Sequence, residues 1–311
     1  MYITCQICYN DINHTDYNNH ESNCVKEQQK MMEEFKNNKK NHKNIDDKKI
    51  NEQSMEKKIE NELKKLTEKQ SRAVETFKKK SRIISRNMRL LVLQRFQQNG
   101  FTEDDLDKTM KYIQTIAPLV IHVNINKSLQ FLIKDTEYRN QFETKTSGGS
   151  LSATSRIDWE KNLFGSIYVD STAHEKVKYG VVNMLNYPGG VTGAYGYGDS
   201  YFILKQSVKT RTSFVQGDSS SKQLHICSFD NCIQILYYID DVMLTDIIKI
   251  ALGNIPSSGH VYSYIEAQIH GPIVLAEDIE TFVVSNKYKD QHIMGTVGEF
   301  CNKNDIKLEF Y

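Results

Sequence analysis

An α+β fold is the class this sequence predicts, from three observations. The first third is rich in lysine and asparagine and short of large apolar residues, so the core is concentrated later in the chain. Two helix-like segments then precede a long series of short apolar or aromatic runs broken by turns. Helices first and mostly strands afterward fit segregated elements better than the regular alternation that builds a parallel sheet.

Each element has its own signal. "RIISRNMRLLVLQRFQQNG" has helical periodicity and ends at Asn99-Gly100, where glycine supplies a left-handed cap. "FTEDDLDKTMKYIQTIA" follows, with Thr102 as N-cap, acidic residues in its first turn and Pro118 soon after its end. "LVIHVNI" reads as a strand. The second half then presents "GSIYV", "SYFILKQSV", "TSFVQ", "SYIEAQIHG" and "TFVVSN" as apolar or aromatic runs, with "DDVMLTDIIKIAL" as one helix candidate among them. There is no internal repeat.

Upstream, "CQICYNDINHTDYNNHESNC" places Cys5, Cys8, His20 and Cys24 in the order C-x2-C-x11-H-x3-C. Thiolate sulfur and imidazole nitrogen bind zinc tetrahedrally, and four protein ligands leave no open position for water, so the expected Zn2+ is structural. No lysine or arginine lies between Cys5 and Cys24, whereas Asp11, Asp16 and Glu21 do, and an acidic finger suits a protein partner better than DNA. Cys227, Cys232 and Cys301 are scattered and read as buried, inert thiols. Residues 27 to 80 are dominated by Lys, Glu, Asn and Gln, with Met55, Ile59, Leu63 and Leu66 at helical spacing, which predicts a solvated helical spacer. The expected organisation is thus a finger at 1–26, a charged helical linker at 27–80 and a globular domain at 81–311.

A net charge of +1 over 311 residues gives no overall drive toward nucleic acid. No apolar run approaches the roughly 18 residues that span a bilayer, and the N-terminus lacks a basic-then-apolar leader. The expectation is a soluble intracellular protein, cytoplasmic or nuclear, without a membrane partner.

The densest information lies between Phe142 and Gly271. "FETKTSGGSLSATSRIDWEKNLFG" holds a Gly-Gly turn, Arg156 and the only tryptophan, Trp159; "KYGVVNMLNYPGGVTGAYGYGDSYFILK" is crowded with glycine and tyrosine; "KTRTSFVQGDSS" adds a basic and hydroxyl cluster. None is a Walker A loop, and "GAYGYG" lacks the strand before it and helix after it that a dinucleotide fingerprint requires. In "YIEAQIHGP", strand alternation sends Tyr264, Glu266, Gln268 and His270 to one face and Ile265, Ala267 and Ile269 to the other. An aromatic, a carboxylate, an amide and an imidazole, with no lysine or arginine among them, suit a ligand better than bulk solvent.

The segments "FETKTSGGSLSATSRIDWEKNLFG", "KYGVVNMLNYPGG", "YFILKQSVKTRTSFVQGDSS" and "YIEAQIHGPIVLAEDIE", in that order, resemble the bacterial effector family typified by CteC, from about Leu66 to the C-terminus. The resemblance implies an ADP-ribosyltransferase fold that uses NAD to modify a threonine of ubiquitin. The finger resembles the ubiquitin-binding zinc finger class, which has the same ligand spacing followed by a helix, so both resemblances point to ubiquitin as partner.

Carried over residue by residue, Glu266 takes the catalytic role. Breaking the bond between ribose and nicotinamide builds positive charge that a fixed carboxylate stabilises. Arg156 suits the NAD pyrophosphate, Phe142 an aromatic ring of NAD, and Thr212 and Ser213 the hydroxyl-bearing strand that supports the glutamate. His122 and Lys127 are both candidates for a further cofactor contact. Two departures matter: Tyr264 stands where arginine-modifying members have a second carboxylate, which favours a hydroxyl acceptor, and Ser155 stands where an acidic residue usually precedes the arginine. A non-catalytic ubiquitin-binding adaptor and a nucleic-acid-associated zinc protein are the other readings. A glycosidase-like reading lacks a carboxylate partner at a defined position.

Overall fold

In the computed structural model, residues 2–4, 11–13, 16, 19, 23, 26, 48–145, 153–220, 225–256 and 264–311 are described. The four expected zinc ligands lie outside these residues. Strands β1 (Tyr2–Thr4) and β2 (Asp11–Asn13), within the expected finger, pair antiparallel with Ile3 opposite Ile12.

The fold is mixed α+β, built on one eight-stranded sheet. Its strands are β3 (Leu119–Val123), β4 (Lys178–Val182), β5 (Ser200–Leu204), β6 (Thr212–Gln216), β7 (Cys227–Ser228), β8 (Ile265–Ile269), β9 (Ile279–Val284) and β10 (Lys307–Phe310). They lie in the order β10-β9-β5-β3-β4-β8-β6-β7, and among these described strands β9 and β10 pair parallel while the other neighbours pair antiparallel.

The main core covers one face of the sheet. Ile121, Phe202, Phe214, Ala267, Ile269 and Phe282 pack there with Leu106, Ile113, Leu244, Ile248 and Phe300 from the helices Glu103–Thr115, Asp241–Ala251 and Ile293–Lys303. On the opposite face the apolar residues divide into two smaller clusters. One holds Val215 with Ala73, Val74, Phe77, Leu163, Phe164 and Tyr168; the other holds Val181 with Val120, Ala194, Tyr201 and Val283. Val215, Glu266 and Val181 are directly opposite one another on β6, β8 and β4, so Glu266 stands on the seam between the two clusters.

Many of the expected elements are present. Helix Glu68–Gln98 ends at Asn99, and Gly100 follows with φ +80°. Helix Glu103–Thr115 starts from a capping box in which Thr102 Oγ1 accepts from Asp105 N at 3.2 Å and Asp105 Oδ2 accepts from Thr102 N at 2.8 Å. Helix Asp241–Ala251 is capped by Asp240, whose Oδ1 accepts from Met243 N at 2.8 Å.

Three features differ. "GSIYV" contributes a 3-10 turn, Gly165–Tyr168, rather than a strand, because it follows the helix Ala153–Phe164 through Gly165 at φ +67°. The helix Ile293–Lys303 was hidden in the sequence by Gly295 and Gly298, which lower helix propensity.

The third difference is the expected boundary at residue 81, which falls inside the continuous helix Glu68–Gln98, and Ala73, Val74 and Phe77 upstream of it are core residues. The preceding helix, Lys48–Lys64, is anchored at its end by buried charge. Arg211 Nε lies 2.6 Å from Glu62 Oε2 and Arg211 Nη2 3.1 Å from Asp278 Oδ2, while Lys65 Nζ bridges Glu62 and Asp278 at 2.9 and 3.0 Å. Burial opposes charge on Glu62, yet Arg211 and Lys65 outweigh it and hold that carboxyl below its usual range. Arg211 Nη1 also donates to the carbonyl of His270, fixing the end of β8. The second half of the expected linker is therefore part of the globular unit.

Candidate functional site

Strand β8 is central, and all five of its residues are buried. Its polar face is covered rather than solvated. His270 is packed among Phe77, Phe164 and Tyr168, and its Nδ1 is 2.6 Å from the Tyr168 hydroxyl.

Glu266 is 4% exposed, and its Oε1 accepts from Gln268 Nε2 at 3.0 Å and from Ser219 N at 3.3 Å. The first bond is one step of a relay across the sheet: Ser213 Oγ donates to Gln268 Oε1 at 2.9 Å, which fixes the amide so that its nitrogen faces the carboxylate. Strand pairing causes this alignment, because Ser213, Gln268 and Tyr179 are opposite one another on β6, β8 and β4. Burial raises the Glu266 carboxyl to about 7, with Asp218 adding to the rise and the bonds from Ser219 and Gln268 opposing it.

Arg156 joins the site from the helix Ala153–Phe164. Its guanidinium carbon lies 5.4 Å from the centre of the Tyr179 ring and 5.8 Å from that of Trp159. One turn further along this helix, Glu160 is 1% exposed, with Oε2 3.1 Å from Lys176 Nζ. Burial lifts the Glu160 carboxyl to about 7 against the pull of Lys176 and Arg156. Burial also raises the Tyr179 phenol well above its usual range, and the charges of Glu160 and Glu266 both push it the same way. Tyr179 thus senses two buried carboxylates.

Phe142 approaches through Lys176, whose Nζ is 5.5 Å from the Phe142 ring centre. Asn140 sets the short helix Gln141–Thr144: its Oδ1 accepts from Phe142 N at 2.8 Å, and its Nδ2 donates to Ala173 O at 2.7 Å. At the rim stand Tyr197, 37% exposed, and half-buried Tyr264; burial raises both phenols, and the Glu266 charge adds to the rise.

Phe142 meets Lys176 and through it Glu160, Arg156 lies over Tyr179, and Ser213 reaches Glu266 through Gln268; the charges of Glu160 and Glu266 both act on Tyr179, which links the three groups electrostatically. Thr212 stands apart: it is opposite Ile269, and its hydroxyl donates to Val208 O at 2.8 Å. His122 lies two strands from β8 with both ring nitrogens engaged by backbone. Nε2 accepts from Val191 N at 3.0 Å, so Nδ1 carries the proton and donates to Gly198 O at 2.8 Å. Burial pulls this imidazole down to about 4, which keeps it neutral and structural. Lys127 is exposed in the first turn of the helix Ile125–Leu132. Neither expected candidate reaches Glu266.

Sequence reasoning missed Glu160, Lys176 and Tyr179. The available signal was the i, i+4 spacing of Arg156 and Glu160, which a helical reading of "ATSRIDWEKNLF" would have placed on one face.

The family model described as "Protein of unknown function (DUF3626)" matches residues 118–239 and 231–311. The chain belongs to this family. The matched segments contain Phe142, Arg156, Glu160, Lys176, Tyr179, Ser213 and Glu266, so the whole contact set lies inside the family region, whereas the helices Lys48–Lys64 and Glu68–Gln98 precede it. A comparison with curated proteins gave no match. Among the described residues, no helix is long and apolar enough to cross a membrane, and no group of three or more His, Cys, Asp or Glu side chains is arranged to hold a metal ion.

Proposed function

We propose that this protein is an NAD-dependent mono-ADP-ribosyltransferase of ADP-ribosyltransferase-like fold that modifies ubiquitin on a threonine hydroxyl, with a zinc-bound N-terminal finger holding the ubiquitin. The observation that carries the reading is Glu266: a buried carboxylate on an interior strand, oriented by the Ser213–Gln268 relay, with the Arg156 guanidinium over the ring of Tyr179 on the neighbouring strand. A carboxylate fixed in advance stabilises positive charge as it develops on the ribose, because no reorganisation is needed at the moment of reaction.

The rest of the set fits NAD. Arg156 offers forked donors to the pyrophosphate, and Phe142 offers a ring face for stacking. Tyr264, in place of a second carboxylate two residues before Glu266, suits a hydroxyl acceptor. Nicotinamide release is the direct test. The wild type is expected to release nicotinamide from NAD in the presence of ubiquitin, and Glu266→Gln is expected to bind NAD without releasing it. Full release by the variant would remove Glu266 from the mechanism.

A further inference from the structure

Resting on the transferase reading, we infer that Glu160 is the second working carboxylate of the site, the base that takes the proton from the acceptor hydroxyl. Both carboxylate oxygens of Glu160 are buried, and neither meets an aligned hydrogen-bond donor, although Lys176 stands at ion-pair distance from one of them. Buried carboxylates are ordinarily hydrogen-bonded, and one that is not commonly has a chemical role.

Its position is the second observation. Glu160 is one turn from Arg156 on the same helix, and the Arg156 guanidinium lies over Tyr179. Glu160 and Glu266 both act electrostatically on that same Tyr179. The third observation is that Glu266 is already held in place through one of its oxygens. Its Oε1 accepts two hydrogen bonds that fix the group for the developing positive charge, and in this reading a separate carboxylate takes the proton. Transfer to a hydroxyl requires a proton sink, and Glu160 supplies one with free acceptor capacity.

The step balances as follows. The acceptor oxygen bonds to the anomeric carbon while the bond from that carbon to nicotinamide breaks, and the bonding pair stays on the nicotinamide nitrogen, which leaves as neutral nicotinamide. The acceptor's proton passes to Glu160 and, after transfer, to solvent. Lys176 is a positioning residue that keeps Glu160 in its ionised form.

Azide tests this, because it is an anion with no proton to lose. Nicotinamide release is measured with ubiquitin or with azide as acceptor, for the wild type, Glu160→Gln and Glu266→Gln. Glu160→Gln is expected to lose about 100-fold or more in kcat with ubiquitin, the scale of a lost general base, while keeping its KM for NAD and its rate with azide. Glu266→Gln is expected to lose both reactions. Since Glu160→Gln leaves the Lys176 ammonium buried and unpaired, the double variant Glu160→Gln/Lys176→Met, which removes both charges, gives the same comparison if the single variant does not fold. Equal losses with ubiquitin and azide would make Glu160 structural, and an unchanged rate with ubiquitin would exclude it as the base. A wild type inert with both acceptors would instead overturn the transferase reading, and the assignment of Glu160 with it.

Discussion

Replacing Glu266 with glutamine is expected to inactivate the protein and stabilise it together. The carboxyl titrates at about 7 in the folded state against an ordinary value of 4.5, because burial opposes its charge. Its contribution is absent below pH 4.5, where the group is protonated in both folded and unfolded chains. Between 4.5 and 7 the unfolded chain ionises first, so stability falls, and above 7 the loss is constant at about 3 kcal/mol. Glutamine has the same shape, and its carbonyl can accept from Gln268 Nε2 and Ser219 N as the carboxylate does. Allowing for an amide N–H that gains no defined partner, Glu266→Gln is expected to be about 2 kcal/mol more stable than the wild type at pH 8.5, or several degrees in Tm, and nearly equal at pH 4.5. Urea unfolding at the two pH values measures this. A variant less stable than the wild type at pH 8.5, or a difference that does not change with pH, would refute the claim that this site holds its charge at a cost to stability.

Two further outcomes follow from the fold and one from the finger expected in the sequence. Arg211→Met leaves Glu62 and Asp278 buried with Lys65 alone and is expected to cost about 3–5 kcal/mol in denaturant unfolding; a loss under 1 kcal/mol would show that the charge cluster is not an anchor. Gly198→Ala places a Cβ against the Val123 backbone at a φ of +143°, so the variant is expected to have a much lowered Tm, and an unchanged Tm would contradict the close approach of that loop to β3. For the finger, metal analysis is expected to find one zinc per chain, lost in Cys5→Ser together with ubiquitin binding but not with NAD binding; full ubiquitin affinity without zinc would separate the finger from its proposed partner.

The parts of this molecule that the sequence made readable are those governed by local rules. The Thr102 cap, the Asn99-Gly100 stop and the two faces of "YIEAQIHG" each depend on spacing and side-chain type within a few residues. Glu266 could be singled out in the same way from strand alternation, whereas Arg156, Phe142 and Ser213 took their expected roles from the family resemblance of the four segments. What was not readable depends on pairing at a distance. Glu62 and Asp278 resemble any solvated acid until Arg211 is placed between them. Phe77 is one aromatic in a lysine-rich stretch, and only its docking on the sheet shows that the domain begins well before residue 81. His122 shows the converse. Its position on a strand suggested a ligand, and the backbone partners that claim both its nitrogens come from residues 191 and 198. Glu160 was hidden for a different reason: the helix that presents it has no regular apolar stripe to mark it as a helix, so the i, i+4 spacing from Arg156 went unread.

The proposed activity is transfer of ADP-ribose from NAD to a hydroxyl of ubiquitin, with Glu266 stabilising the positive charge that develops on the ribose. Intact mass spectrometry of ubiquitin incubated with NAD and the full chain, followed by site mapping, tests it most directly. The expected result is the addition of one ADP-ribose on a threonine by the wild type and none by Glu266→Gln. Unmodified ubiquitin after incubation with folded, NAD-bound wild type, or equal labelling by the variant, would contradict it.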